Sequence, residues 1–201
     1  MIDQPASDFR TKPTLTGERV RLRPFRIDED AGALREMLQD LEALKLTGSL
    51  HSPMDSSEWD EAAETRFRDW YSTRNQQPDR LDLAVVDKAS GHCVGEVVLN
   101  SWNEGSRSCS FRTMLGPGGR DRGLGTESVR LIVGYGFEQL ALHRISLEVY
   151  AFNPRARHVY DKVGFVAEGV LRAELRWEDQ WIDATAMSIL APEWNRHRGR
   201  P

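Results

Sequence analysis

Residues 116–128 read GPGGRDRGLGTES and lead directly into a segment whose apolar residues, Val129, Ile132, Val133, Gly136, Phe137 and Leu140, recur at helical spacing. Glycines before a helix start expose backbone N–H groups that have no helical acceptor, at the positive end of the helix dipole. The fold must therefore contain a strand–loop–helix unit whose loop lets an anion come close. Three phosphate-binding readings compete. A P-loop is excluded, because no lysine follows the glycines to reach a β- or γ-phosphate. A dinucleotide fingerprint fits poorly: Gly123-Leu124-Gly125 lacks the third glycine at the right offset, and ISLEVY ends without the expected acid. The third pattern, R-x-x-G-x-G, is met by Arg120, Gly123 and Gly125. It would aim the N–H groups of residues 122–126 into one concavity suited to a pyrophosphate. A plain glycine-rich β–α turn is the alternative.

Periodicity places the other elements. ERVRLRPF (18–25) alternates as a strand, and DEDAGALREMLQD follows as a helix with Asp28 as its N-cap. Residues 56–74, with Trp59, Phe67 and Trp70, read as a second helix. LDLAVVD and HCVGEVVLN flank KASGH as a hairpin, and 106–115 alternates Cys109, Phe111, Thr113 and Leu115 against Ser108, Ser110, Arg112 and Met114. RISLEVY is a strand with Ile145, Leu147 and Val149 on one face. Asn153 as N-cap, Pro154 at the first helical position and Gly164 as the stop bracket another helix. VAEGVLRAEL and QWIDATAMSIL close the chain as paired strands. The order is strand, two helices, three strands, helix, strand, helix, two strands. It predicts a single α/β domain over 1–201, a mixed central sheet with helices on its faces, and flexible ends at 1–13 and 192–201.

Composition narrows the function classes. A net charge of −4 gives no general attraction to nucleic acid or to an anionic membrane. No apolar run approaches the roughly 20 residues that cross a bilayer. Cys93 and Cys109 make no disulfide framework, and five scattered histidines offer no metal-ligand spacing. The expectation is a cytoplasmic protein with no metal, no nucleic-acid partner and no membrane partner.

Residues 147–165, LEVYAFNPRARHVYDKVGF, with AEGVLR behind them, resemble the distal half of the GNAT N-acetyltransferase superfamily, and most closely its RimJ/RimL-like ribosomal-protein N-terminal acetyltransferase branch. Asn153, Ala156, Val159, Tyr160, Lys162, Gly164, Phe165, Glu168, Gly169 and Arg172 carry the likeness, and TLTGERVRLRPF is similar to that branch's opening strand. The resemblance implies the GNAT acyl-CoA N-acyltransferase fold. It implies acetyl-CoA as co-substrate and an amine acceptor, either a protein N-terminus or a small molecule, with a homodimer common in the branch. It implies two parallel strands that splay apart, here 108–115 and 145–150, to admit the pantetheine. The donor contacts it implies are Met114, Leu115, Arg120, Arg122, Gly123, Leu124, Gly125, Thr126 and Asn153. A non-catalytic CoA-binding module is the alternative function.

Acetylating an amine requires a neutral nucleophile, and α-amino and lysine groups have pKa values near 8 and 10. A base or a water wire must therefore take up a proton, and an acid must protonate the departing thiolate. Tyr160 matches the family's position for that acid. It lies seven residues beyond Asn153, two helical turns along the same face. Direct attack needs no enzyme nucleophile, so Cys109 has no required role. Cys109 stands where many relatives place a glutamate base, so either the base lies elsewhere, with Glu96 and Glu104 as candidates nearby in sequence that can also be plain surface residues, or water carries the proton out. Arg157 and Lys162 are read either as contacts to a 3′-phosphate or as a solvated helix face. Acidic runs at 55–64 and 176–183, with Trp59, Trp177 and Trp181, are read either as acceptor walls or as solvated surface.

Overall fold

The computed structural model describes residues 9–55 and 58–198. Its elements in chain order are β1 (Leu15–Thr16), β2 (Val20–Arg23), α1 (Ile27–Gln39), α2 (Leu41–Leu46), α3 (Glu61–Arg74), β3 (Leu81–Asp87), β4 (Cys93–Asn103) and β5 (Ser108–Leu115). There follow α4 (Leu124–Glu138), β6 (Arg144–Tyr150), α5 (Pro154–Val163), β7 (Val166–Trp177), β8 (Gln180–Leu190) and α6 (Ala191–His197). The eight strands form one sheet in the order β1-β2-β3-β4-β5-β6-β8-β7. Every neighbouring pair is antiparallel except β5 and β6.

Period-two alternation sends side chains to two separate cores. Val97, Leu99, Cys109, Phe111, Ile145 and Leu147 pack on one face against Val129, Ile132 and Val133 of α4 and Tyr160 and Val163 of α5. On the other face Ala84, Cys93 and Met114 meet Leu34 and Met37 of α1 and Phe67 and Tyr71 of α3. Each large apolar side chain buried this way contributes roughly 1.5–3 kcal/mol. Met114, which alternation sets with the polar positions of its strand, is buried because α1 and α3 cover that stretch of the second face.

Local chemistry moves several expected boundaries. The first helix starts after Arg26, and Asp28 lies inside its first turn rather than capping it. Asp30 is the acid that organises this end. It accepts two 2.7 Å hydrogen bonds from Arg23 and a 2.8 Å bond from the Arg26 N–H. The helix breaks at Asp40, whose extended backbone and side chain, accepting from the Glu42 N–H at 3.0 Å, start the short α2. The second expected helix begins at Glu61, capped by Asp60, while residues 56–57 lie outside the described residues.

The ends were expected to be flexible, but their described parts are docked. Phe9 is buried with its ring edge-on to Trp102, and Trp194 of α6 is buried against Phe137 and donates to Glu138 at 2.9 Å. Residues 1–8 and 199–201 lie outside the described residues.

Candidate active site

β5 and β6 pair through three registers, Ser108–Arg144, Cys109–Ile145 and Ser110–Ser146, and then the ladder stops. Beyond Ser110 and Ser146 the strands diverge, and their outer neighbours β4 and β8 remain paired to them as far as Leu115 and Tyr150. The opening between Phe111–Leu115 and Leu147–Tyr150 is a cavity of about 260 Å³. Diverging strands leave backbone donors and acceptors that cannot satisfy each other, so the gap suits an extended ligand bearing amides.

Two helix starts flank this gap. Gly123 caps α4 in the left-handed conformation (φ 77°), with no side-chain hydrogen bond at the cap. The first-turn N–H groups of Leu124, Gly125 and Thr126 therefore have no helical acceptor. A Cβ on Gly125 would sit 3.1 Å from Leu115 Cδ1, so a side chain there would crowd the cavity wall. Asn153 caps α5, accepting from the Ala156 N–H at 3.1 Å, while its Nδ2 donates to the Leu46 carbonyl at 3.4 Å.

Of the residues anticipated from sequence, Met114, Leu115, Arg120, Gly123, Gly125, Thr126, Asn153 and Tyr160 line this one cavity. Two do not bring their side chains to it. Leu124 is buried in the core, leaving only its N–H at the helix start. Arg122 turns away to pair with buried Asp87 at 2.9 Å and to donate to the Gly118 carbonyl at 2.9 Å. Arg120 lines the mouth, but it is held by the α2 acids Asp40 and Glu42 and donates to the Leu115 carbonyl at 3.0 Å. Arg157 binds Thr185 at 3.0 Å, outside the lining.

Tyr160 is buried, edge-on to Phe111. Burial pushes its phenol pKa above the ordinary 10, because the phenolate would be poorly solvated there. Burial also pushes the Cys109 thiol up to about 12, which disfavours a thiolate nucleophile there. On the opposite side of the gap, Arg112 and Glu148 project from the two strands just past the last paired register and line the cavity. Burial, and then the charges of Glu148 and Glu174, raise the pKa of Tyr150; of the two acids Glu148 lines the cavity and Glu174 does not. Trp177 is buried under Lys45, whose Nζ lies 4.7 Å from the ring centre. Trp181 is 66% exposed, and Trp59 packs on Phe67 and donates to Glu64 at 2.9 Å.

The two glutamates considered as bases separate clearly. Glu104 is exposed in the β4–β5 turn. Glu96 lies on β4 opposite Met114 and accepts from the Tyr71 hydroxyl at 2.9 Å, and burial raises its pKa. Neither lines the cavity. Glu148 and Arg155, which do line it, were missed by sequence reasoning. Glu148 had a legible signal, as a charged residue on the polar phase of a strand already expected to splay.

Residues 19–166 match the family described as acetyltransferase (GNAT) domain. The spermidine N(1)-acetyltransferase of Vibrio cholerae is 33% identical over 110 residues, which cover 55% of this chain and 64% of that relative's own length. Mycobacterium smegmatis RimJ in complex with CoA-disulfide superimposes with a TM-score of 0.75 at 24% identity, covering 92% of this chain and 90% of that one. A Vibrio cholerae spermidine N-acetyltransferase in complex with CoA and spermine gives a TM-score of 0.74 at 22% identity, covering 89% and 99%. At these identities the superpositions establish the fold. The splayed strands, the two helix starts and the family match over most of the chain agree: this chain belongs to the GNAT acetyltransferase family.

Proposed function

We propose that the protein transfers an acetyl group from acetyl-CoA directly to a primary amine, in a ternary complex within the cytoplasm. The observation that carries this reading is the β5–β6 ladder ending at Ser110–Ser146, with the opening flanked by the helix starts of α4 and α5. On this reading the first-turn N–H groups at 124–126 hold the pyrophosphate. The pantetheine lies between Phe111–Leu115 and Leu147–Tyr150. The acceptor arrives from the side of Arg112 and Glu148. Tyr160 protonates the departing sulfur, a role supported by its place in the cavity lining beside Phe111, where the two strands part. Glu148 receives the amine at the lip and accepts its proton. Glu96 is the second reading for the base, favoured by its raised pKa.

The acceptor we infer is a small cationic amine. Glu148 in the cavity lining would attract an ammonium, and the likeness to spermidine acetyltransferases points the same way. Titrating acetyl-CoA calorimetrically, then following thiol release across polyamines, aminoglycosides and N-terminal peptides, tests both parts. Absence of acetyl-CoA binding would remove the donor assignment. Turnover with peptides alone would remove the acceptor assignment.

A further inference from the structure

A chain of ion pairs crosses the mouth of the cavity. Arg120 pairs with Asp40 and with Glu42 (2.7 Å), and the same Glu42 pairs with Arg155 at 3.0 Å. Arg155 also reaches Asp121 at 3.3 Å. Three carboxylates thus hold the two guanidiniums that line the mouth, and α2 is strapped between the lip after β5 and the start of α5. A polyanionic nucleotide approaching this mouth meets arginines already occupied by acids.

The two arginines are held with unequal strength. Arg120 and Asp40 have side chains only 12% and 14% exposed, and the Arg120 guanidinium is further fixed by the Leu115 carbonyl. Partners so placed are costly to separate. Arg155 is 43% exposed, and its partners Glu42 and Asp121 are 55% and 73% exposed. Exposed pairs of this kind are weak and readily screened. Arg155 also lies in the first turn of α5, whose positive dipole end favours an anion. The releasable guanidinium is therefore the one beside a helix start that faces the cavity.

Resting on the donor reading above, we infer that Arg155 is a phosphate-binding side chain for the nucleotide part of CoA, and that Glu42 is its built-in competitor. Binding exchanges the Arg155–Glu42 pair for an arginine–phosphate pair, while Arg120 stays on Asp40 and keeps α2 in place. A purely structural clasp would behave differently. Breaking it from either side would loosen α2, so both substitutions would weaken binding.

The test is calorimetric titration of CoA into the wild type, Arg155→Ala and Glu42→Gln at low and at moderate salt. The expected result has opposite signs. Arg155→Ala raises the Kd about tenfold, as loss of a charge-assisted contact should, and flattens the salt dependence. Glu42→Gln lowers the Kd several-fold. Weakening by both variants, or an unchanged Kd in either, overturns the inference while leaving the donor site standing. Should Arg155→Ala fail to fold, Glu42→Gln decides alone: tighter binding supports the exchange, and equal or weaker binding refutes it. A wild type that binds no CoA overturns both this inference and the donor assignment.

Discussion

Tyr160 and Phe111 meet edge to face, with ring centroids 6.1 Å apart and planes at 86°. Phe111 is the first β5 residue past the last β5–β6 pair, so this contact sets the phenol at the apex of the splay. Packing alone would keep the ring there without its hydroxyl. Tyr160→Phe should therefore leave acetyl-CoA affinity and thermal stability nearly unchanged and lower turnover by about 100-fold, the usual scale for a positioned acid. Steady-state kinetics with saturating donor measures it, and an unchanged turnover number would remove Tyr160 from the chemistry.

Gly125 and Gly123 answer for different parts of the donor loop. Gly125 borders Leu115 at the cavity wall, and Gly125→Glu would place bulk and negative charge there, abolishing acetyl-CoA binding in calorimetry while the chain stays folded. Gly123 needs φ 77°, so Gly123→Ala should cost about 1–2 kcal/mol of stability. Retained donor binding in Gly125→Glu would contradict the placement of the pyrophosphate.

How far these positions could be read in advance depended on whether their cause was local. The caps at Asn153 and Gly164 and the alternation of β5 depend on neighbouring residues, and the structure has them where spacing put them. Asp28 misled because an acid before a helix resembles a cap, whereas Asp30 is drawn inward by Arg23, a partner on another element. Arg122 misled for the same reason: its orientation is decided by Asp87, which is 35 residues away in the chain. Glu148 stood on the polar phase of a strand expected to splay, but RISLEVY does not mark where the β5–β6 ladder ends, and that point is what puts this acid in the lining.

Glu148 and Glu96 can be separated by substitution. If Glu148 receives the amine, Glu148→Gln raises the acceptor KM and lowers turnover by at least tenfold, and Glu96→Gln changes turnover little. If Glu96 is the base, its raised pKa should appear as the acidic limb of the turnover–pH profile, and that limb should vanish in Glu96→Gln. Pre-steady-state acetylation across pH distinguishes the two, and activity unaffected by both substitutions would assign proton removal to water.

The Arg23–Asp30 pair is bidentate and buried, with side chains 9% and 1% exposed. Asp30→Ala would leave the buried Arg23 guanidinium with only the exposed Glu29 at 3.7 Å as a counter-charge, and the cost of breaking such a pair from one side is about 3–5 kcal/mol. Urea unfolding of the wild type and variant measures it. A loss below about 1 kcal/mol would show that water reaches Arg23 readily.

Arg144 and then Ser188 hold the Glu168 carboxyl at about 2, below its ordinary 4.5. The folded chain thus favours the ionised form. The stabilisation is present above about 4.5 and is lost as the pH falls through about 2. Its size is reduced by solvent, because the paired side chains are 35% and 42% exposed. Glu168→Gln should therefore lower the melting temperature slightly at neutral pH and bring the two proteins together as the solution is acidified. Thermal unfolding from pH 7 down to pH 3 reads this convergence. Curves that stay parallel would mean that the Arg144 pair contributes nothing that depends on the ionisation of Glu168.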